Sequence, residues 1–162
     1  MIFTVGILTV SDKGAAGQRD DQSGLLLKTL IEKLPGRVTC YEIVPDEQDN
    51  IRKKLIAFCD QQHLNLLLTT GGTGPAPRDV TPEATTAVIE RNVPGIAEML
   101  RMTGYQKNPR AILSRGIAGI RGHTLIINLP GSRGGVEDGL ELLLPILPHA
   151  LLKIAGDTRD CG

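Results

Sequence analysis

The chain has 162 residues, which at roughly 150 residues per domain predicts one compact unit. Lys plus Arg and Asp plus Glu each total 18, and the four aromatic residues include no Trp. That composition excludes the basic footprint of a general nucleic-acid or anionic-membrane binder and leaves no base-stacking platform.

Residues 3–10 read as a first strand, and the loop 11–20 leads into a helix over 21–34 in which Leu26, Leu27, Leu30, Ile31 and Leu34 recur at helical spacing. Pro35-Gly36 stops that helix. A second strand follows over 37–44, closed by Pro45-Asp46, and then a helix over 48–61 with Ile51, Leu55, Ile56 and Cys59 on its inner face. The apolar run 64–69 predicts a third strand, buried on both faces. Thr81-Pro82-Glu83 predicts a helix start with Thr81 as N-cap, the helix ending near Arg91. Pro94-Gly95 opens another helix, to Gly104. Residues 112–129 read as a strand or hairpin turning at Arg121-Gly122-His123. Two helices separated at 145–148 complete a domain over 1–156, and 157–162 reads as a short tail. This rhythm is that of βαβ units around a mostly parallel sheet.

Cys40, Cys59 and Cys161 lack CxxC spacing, and no 18-residue apolar run or secretory leader is visible. The expectation is a cytoplasmic protein with neither a nucleic-acid nor a membrane partner.

In open α/β sheets ligands collect beyond the carboxyl ends of strands, so the loops there are the candidates. After strand three comes Thr70-Gly71-Gly72-Thr73-Gly74, then Arg78-Asp79 and Thr81. Glycine-rich backbone at such a place either cradles an anion through its N–H groups or is simply a tight turn, and its spacing is neither Walker A nor GxGxxG. Arg78 and Asp79 suit phosphate pairing and metal coordination, or a solvated salt bridge. Ser11 and Asp12 stand at the end of strand one as ligand contacts, whereas Asp20 and Asp21 read as helix caps. Asp46 ends strand two. Alone it is a turn residue; with Asp79 it can converge on one Mg²⁺, which favours carboxylate and phosphate oxygens. Asn128-Leu129-Pro130-Gly131-Ser132 ends the last long strand in a turn with a hydroxyl. His63, His123 and His149 share no zinc spacing, and no GxSxG elbow appears.

These residues resemble one family, the MogA-type molybdopterin adenylyltransferases, related to MoaB and to the G domain of gephyrin. The matching segments are Ser11-Asp12 with Gly17, Asp21, Ser23 and Gly24; Val44-Pro45-Asp46-Glu47; the stretch from Thr70-Gly71-Gly72-Thr73-Gly74 through Arg78-Asp79-Val80-Thr81-Pro82-Glu83; Leu113-Ser114-Arg115 with Gly119 and Gly122; and Asn128-Leu129-Pro130-Gly131-Ser132. The resemblance implies a three-layer α/β/α fold with a mostly parallel sheet and a β-hairpin extension, assembled as a homotrimer. It implies transfer of AMP from ATP to the terminal phosphate of molybdopterin, with Mg²⁺ as cofactor and release of pyrophosphate, in molybdenum cofactor biosynthesis, and a molybdenum insertase as partner. Carried over, Asp46 and Asp79 are the essential carboxylates and metal ligands. Residues 71–74 with Pro130, Gly131 and Ser132 form the nucleotide and phosphate cradle, and Ser11, Asp12, Ser23 and Ser114 lie near the pterin or its phosphate. Arg133-Gly134 stands where the family commonly has Pro-Lys. The rival readings are a MoaB-like paralogue with little or no transferase activity, a trimeric molybdopterin-binding scaffold, and a tungsten-pathway enzyme with the same adenylylation.

Overall fold

Near-continuous apolar runs along the central strands dictate a sheet covered on both sides, and the computed structural model, which describes residues 2–159, has that form. Six strands form one sheet in the order β2-β1-β3-β6-β5-β4. They are β1 (Phe3–Val10), β2 (Gly36–Val44), β3 (Leu66–Thr70), β4 (Arg91–Asn92), β5 (Ala118–Arg121) and β6 (Thr124–Leu129). β2, β1, β3 and β6 run parallel, while β5 is antiparallel to both of its neighbours.

Val5, Ile7, Leu66, Leu68, Leu125 and Ile127 face one layer, formed by α2 (Gln22–Ile31), α5 (Pro94–Lys107), α6 (Arg133–Leu143) and α7 (Leu147–Ile154). Leu8, Val10, Leu67 and Ile126 face the other, formed by α3 (Gln48–Ile56), the π turn Ala57–Gln61 that prolongs it, and α4 (Thr81–Thr86). This is the expected three-layer α/β/α arrangement. Each fully buried Leu or Ile contributes roughly 1.5–3 kcal/mol, so the aliphatic core holds the sheet without large aromatics.

Several local expectations change. The loop after β1 contains a short helix, α1 (Asp12–Ala15), and α2 ends three residues before Leu34. Thr81 is not an N-cap: Val80 occupies that position, and the Thr81 hydroxyl instead donates to the Gly71 carbonyl at 2.9 Å. α4 stops at Thr86 rather than near Arg91, because the following backbone bonds to the sheet: Glu90 N–H donates to Ile120 O (2.8 Å) and Val93 N–H to Ala118 O (2.9 Å). That exchange of partners creates β4, an edge strand not expected from the sequence. α5 continues past Gly104 to Lys107, and Pro109–Leu113 forms a 3-10 turn where a strand or hairpin was expected to begin. The hairpin itself is β5 and β6, turning at Gly122. Asp157 N–H donates back to Leu152 O at 3.0 Å beyond α7; residues 160–162, with Cys161, lie outside the described residues. Among the described residues no helix is long and apolar enough to cross a membrane.

Candidate functional site

The strand order reverses direction at β1, whose neighbours are reached by crossovers in opposite senses, so the crevice for a ligand opens where β1 and β3 end. Gly71 and Gly72 leave β3 there with φ of +97° and +66°. A Cβ at Gly71 would run into the Val10 carbonyl, and one at Gly72 would lie 3.2 Å from Asp46 Oδ1. Only glycine lets the loop after β3 pass this close to the ends of β1 and β2. Thr81 holds the loop from the other side, its N–H donating to Gly72 O (3.1 Å) and its hydroxyl to Gly71 O.

Three loops are joined across this crevice. Asp46 Oδ2 accepts from Asp12 N–H at 2.9 Å, and Asp12 Oδ1 accepts from Asp46 N–H at 3.0 Å. Arg78 then grips the same Asp12 carboxylate through Nε (3.1 Å) and Nη2 (2.7 Å). The guanidinium holds the Asp12 carboxyl below its ordinary pKa. Asp46 moves the opposite way: burial raises its pKa, and the charges of Asp12 and Asp79 add to that, outweighing the Asp12 N–H and Arg78. Asp79 closes a turn, its Oδ2 accepting from Ala76 N–H at 3.0 Å. Among the described residues no three or more His, Cys, Asp or Glu form a preset metal cage, and the donor set of two nearby carboxylates suits a cation that completes its shell with substrate oxygens.

The loop after β6 meets the loop after β3. A Cβ on Gly131 would lie 3.2 Å from Gly71 Cα, the Ser23 hydroxyl donates to Gly131 O at 2.8 Å, and Thr70 Oγ1 donates to Pro130 O at 2.6 Å. This junction divides the crevice. On one side lies a cavity of about 600 Å³ reached by Ser11, Asp21, Ser23, Thr70 and Arg133. On the other lies one of about 1000 Å³, bordered by residues 72–74, Asp79, Ser114, Asn128, Pro130 and Ser132 and extending between α5 and α6. Gly131 borders both. Of the residues expected near the pterin or its phosphate, Ser11 and Ser23 border the smaller cavity and Ser114 the larger. Asp12, Asp46, Arg78 and Thr81 border neither cavity, although the first three form the acidic junction itself.

Most of the expected ligand hydroxyls already have local tasks: Ser23, Thr70 and Thr81 donate to the carbonyls given above, and Ser114 Oγ accepts from Gly116 N–H at 3.3 Å. Ser11 Oγ accepts from Gly14 N–H (3.0 Å) as the N-cap of α1, and Ser132 Oγ accepts from Gly135 N–H (3.2 Å) as the N-cap of α6. Each keeps its hydroxyl hydrogen for a donor bond. The α6 cap also places a helix N-terminus, the positive end of its dipole, beside the larger cavity. Asp21 is the N-cap of α2, as expected, and Asp20 makes no side-chain bond among the described residues.

The sequence reading gives no site role to Asn128, Arg101 or Arg115. Asn128 Nδ2 donates to the buried hydroxyls of Thr69 (2.9 Å) and Thr85 (3.0 Å) and its Oδ1 accepts from Ile117 N–H (3.2 Å), a satisfied network under the larger cavity. Arg101 Nη1 donates to Gly116 O at 2.7 Å. Arg115 binds the loop after β3 at several points. Its only mark in the sequence is its place beside Ser114 in a segment shared with the resembled family.

A family model described as a "probable molybdopterin binding domain" matches residues 6–149. The molybdopterin adenylyltransferase of Helicobacter pylori is 44% identical over 155 residues, covering 94% of this chain and 88% of that protein. The crystal structure of the molybdopterin biosynthesis enzyme MoaB from Thermus thermophilus is 52% identical with a TM-score of 0.91, covering 96% of this chain and 98% of that one. The tungsten cofactor synthesizing protein MoaB from Pyrococcus furiosus is 34% identical with a TM-score of 0.86, covering 94% and 97%.

Proposed function

This chain belongs to the molybdopterin-binding domain family, and on that footing we propose that it is a molybdopterin adenylyltransferase of molybdenum cofactor biosynthesis, transferring AMP from ATP to the terminal phosphate of molybdopterin. The observation that carries the reading is the joining of the loops after β1, β2 and β3 through Asp12, Asp46 and Arg78, with Asp79 next to Arg78 in the chain, beside a glycine loop that meets Gly131 between two cavities.

A molybdopterin phosphate oxygen attacks the α-phosphorus of ATP; one P–O bond forms and the bond to pyrophosphate breaks, with pyrophosphate leaving in line. The two substrates take the two cavities, and the reacting phosphorus lies near their common border at Gly131. Backbone N–H groups of residues 72–74, Gly131, Ser132 and the N-terminus of α6 hold phosphate oxygens, while Ser11 on one side and Ser114 on the other contact substrate with the donor hydrogens their local bonds leave over, and Ser23, whose hydrogen goes to Gly131 O, meets substrate as an acceptor. Asp46 and Asp79 would hold Mg²⁺, which would supply positive charge against phosphate oxygens there. Arg78, paired with Asp12 in this state, lies one residue from Asp79 to neutralise developing charge. Such a transfer requires positioning and charge stabilisation rather than a strong nucleophile, in keeping with a site that uses no histidine or cysteine.

The same reading assigns the protein to the cytoplasm and to a homotrimer, which the exposed Met102, Tyr105, Ile112 and Leu113 on α5 and the 3-10 turn would serve as an apolar contact; sedimentation equilibrium tests it. The product would pass to a molybdenum insertase. A second reading, a MoaB-like protein that binds molybdopterin without transferring AMP, is favoured by the name of the 52% identical Thermus structure.

The decisive experiment incubates the protein anaerobically with molybdopterin, ATP and Mg²⁺ and follows pyrophosphate release and the adenylated pterin. Transfer by the parent protein and its loss in Asp79→Asn supports the proposal. Pterin binding without transfer overturns it in favour of the second reading, and full activity in Asp79→Asn removes the assigned role of that carboxylate.

A further inference from the structure

Asp79 stands on a segment with little packing of its own, residues 75–78 being exposed. The turn closes on itself, with Asp79 N–H donating to Ala76 O at 2.9 Å and Ala76 N–H to Asp79 Oδ2 at 3.0 Å. Bonds internal to a turn fix its shape and leave its placement undetermined. Placement comes from outside: Arg78 ties the turn to Asp12 on one side, and Arg115, on the segment between the 3-10 turn and β5, ties it on the other. Its backbone N–H donates to Thr73 O (2.8 Å), its Nε to Gly74 O (2.9 Å) and its Nη2 to Asp79 O (2.6 Å), and its guanidinium pairs with the Glu83 carboxylate in the first turn of α4. One side chain thus spans both ends of the 74–79 turn and the helix that follows it.

We infer that Arg115 is a positioning residue for adenylyl transfer: by holding the Gly74 and Asp79 carbonyls it sets where the Asp79 carboxylate stands relative to Asp46. The inference rests on the proposed role of Asp79. A planar guanidinium with donors in fixed directions can satisfy two carbonyls and a carboxylate at once, whereas the compact ammonium of lysine satisfies the charge of Glu83 without spanning all three. The Arg115–Glu83 pair keeps both groups ionised, each holding the other on its charged side. A plain structural staple between loop and helix would predict loss of stability only. A positioning role predicts a loss of turnover out of proportion to stability, since a misplacement of about 1 Å costs on the order of 100-fold.

The test uses the full chain with Arg115→Lys and Glu83→Gln, and Asp79→Asn alongside. Four quantities are read: kcat, KM for molybdopterin and for ATP, melting temperature, and amide hydrogen exchange over residues 74–80. Arg115→Lys is expected to melt near the parent, to lose about 10- to 100-fold in kcat with KM for molybdopterin little changed, and to exchange faster at Ala76 and Asp79. Glu83→Gln, which leaves both carbonyl contacts in place, is expected to keep its turnover. Arg115→Ala supplies a second arm, in which guanidinium ion below denaturing concentration restores kcat. Parent-like kcat in Arg115→Lys overturns the inference, and so does an equal fall of kcat in Glu83→Gln accompanied by an equal fall in melting temperature. If Asp79→Asn is inactive while Arg115→Lys is normal, this inference fails alone; if Asp79→Asn is fully active, the reading beneath it fails.

Discussion

Asp21 and Asp46 are both half-buried carboxylates beside the crevice, and the protein treats them in opposite ways. Asp21 receives Gly24 N–H at Oδ1 (2.9 Å) and the hydroxyls of Thr9 (2.5 Å) and Tyr41 (2.6 Å) at Oδ2. Its charge is answered by three donors from α2, β1 and β2, and it joins those elements. Asp46 receives one backbone N–H, and its burial first, with the charges of Asp12 and Asp79 after it, disfavours its ionised form. A carboxylate with its acceptors filled is part of the scaffold, and one crowded by like charge with acceptors unspent is prepared for a cation.

The sharpest way to break that comparison is to neutralise both residues. Asp46→Asn is expected to lower pyrophosphate release by about 100-fold or more while leaving the melting temperature unchanged or higher, because a charge that the fold disfavours has been removed. Asp21→Ala is expected to do the reverse in kind, costing about 2–4 kcal/mol in urea unfolding through the lost cap and two unanswered hydroxyls. Comparable losses of stability in the two variants would show Asp46 to be a structural residue as well.

A pH profile separates them further. Burial first, and then Asp12 and Asp79, raise the Asp46 pKa, so protonation sets in at a higher pH than for an ordinary carboxylate. The acid limb of kcat/KM should therefore lie above the usual carboxylate range at low Mg²⁺ and shift to lower pH as Mg²⁺ competes with the proton. The linked effect on folding has the opposite sign: the folded state binds this proton more tightly than the unfolded chain does, so the contribution of Asp46 to stability improves as pH falls through the raised value. Arg78 lowers the Asp46 pKa, so Arg78→Ala should move the acid limb up. An acid limb indifferent to both Mg²⁺ and Arg78 would disconnect Asp46 from the chemistry.

What the sequence discloses and what it withholds follow the range of the forces involved. β1, β3 and β6 are visible as apolar runs, and helix starts are visible at Thr81-Pro82 and Pro94-Gly95, because burial and the fixed φ of proline act on near neighbours. β4 is invisible: Arg91 and Asn92 are exposed and polar, and they form a strand only because Ile120 and Gly119 lie opposite them. Asp46 and Asp79 are legible as acids at strand ends beside glycines. The division of the crevice into two cavities is not, since it depends on Gly71 meeting Gly131, far along the chain. Ser11 and Ser132 look like ligand hydroxyls for the same reason that they make good caps, and only the structure shows their oxygens engaged at Gly14 and Gly135. Arg115 is hardest to read in advance, because its value lies in carbonyls contributed by a distant loop, and a carbonyl leaves no trace in residue identity.

The smallest test of the comparison removes one donor from the satisfied carboxylate. Tyr41→Phe deletes the hydroxyl that donates to Asp21 but keeps the ring beneath Lys28, whose Nζ lies 5.1 Å from its centroid. Asp21 retains Gly24 N–H and the Thr9 hydroxyl, so the start of α2 stays capped and the expected cost is about 1 kcal/mol, read by urea unfolding, with turnover close to the parent. If the loss instead equals that of Asp21→Ala, the three donors act as one cooperative unit; the double variant, Tyr41→Phe with Asp21→Ala, would then cost no more than Asp21→Ala alone. Either size of loss keeps Asp21 in the scaffold. A fall in turnover without a fall in stability would instead move Asp21 to the side of Asp46, and the contrast drawn from their hydrogen bonds would not hold.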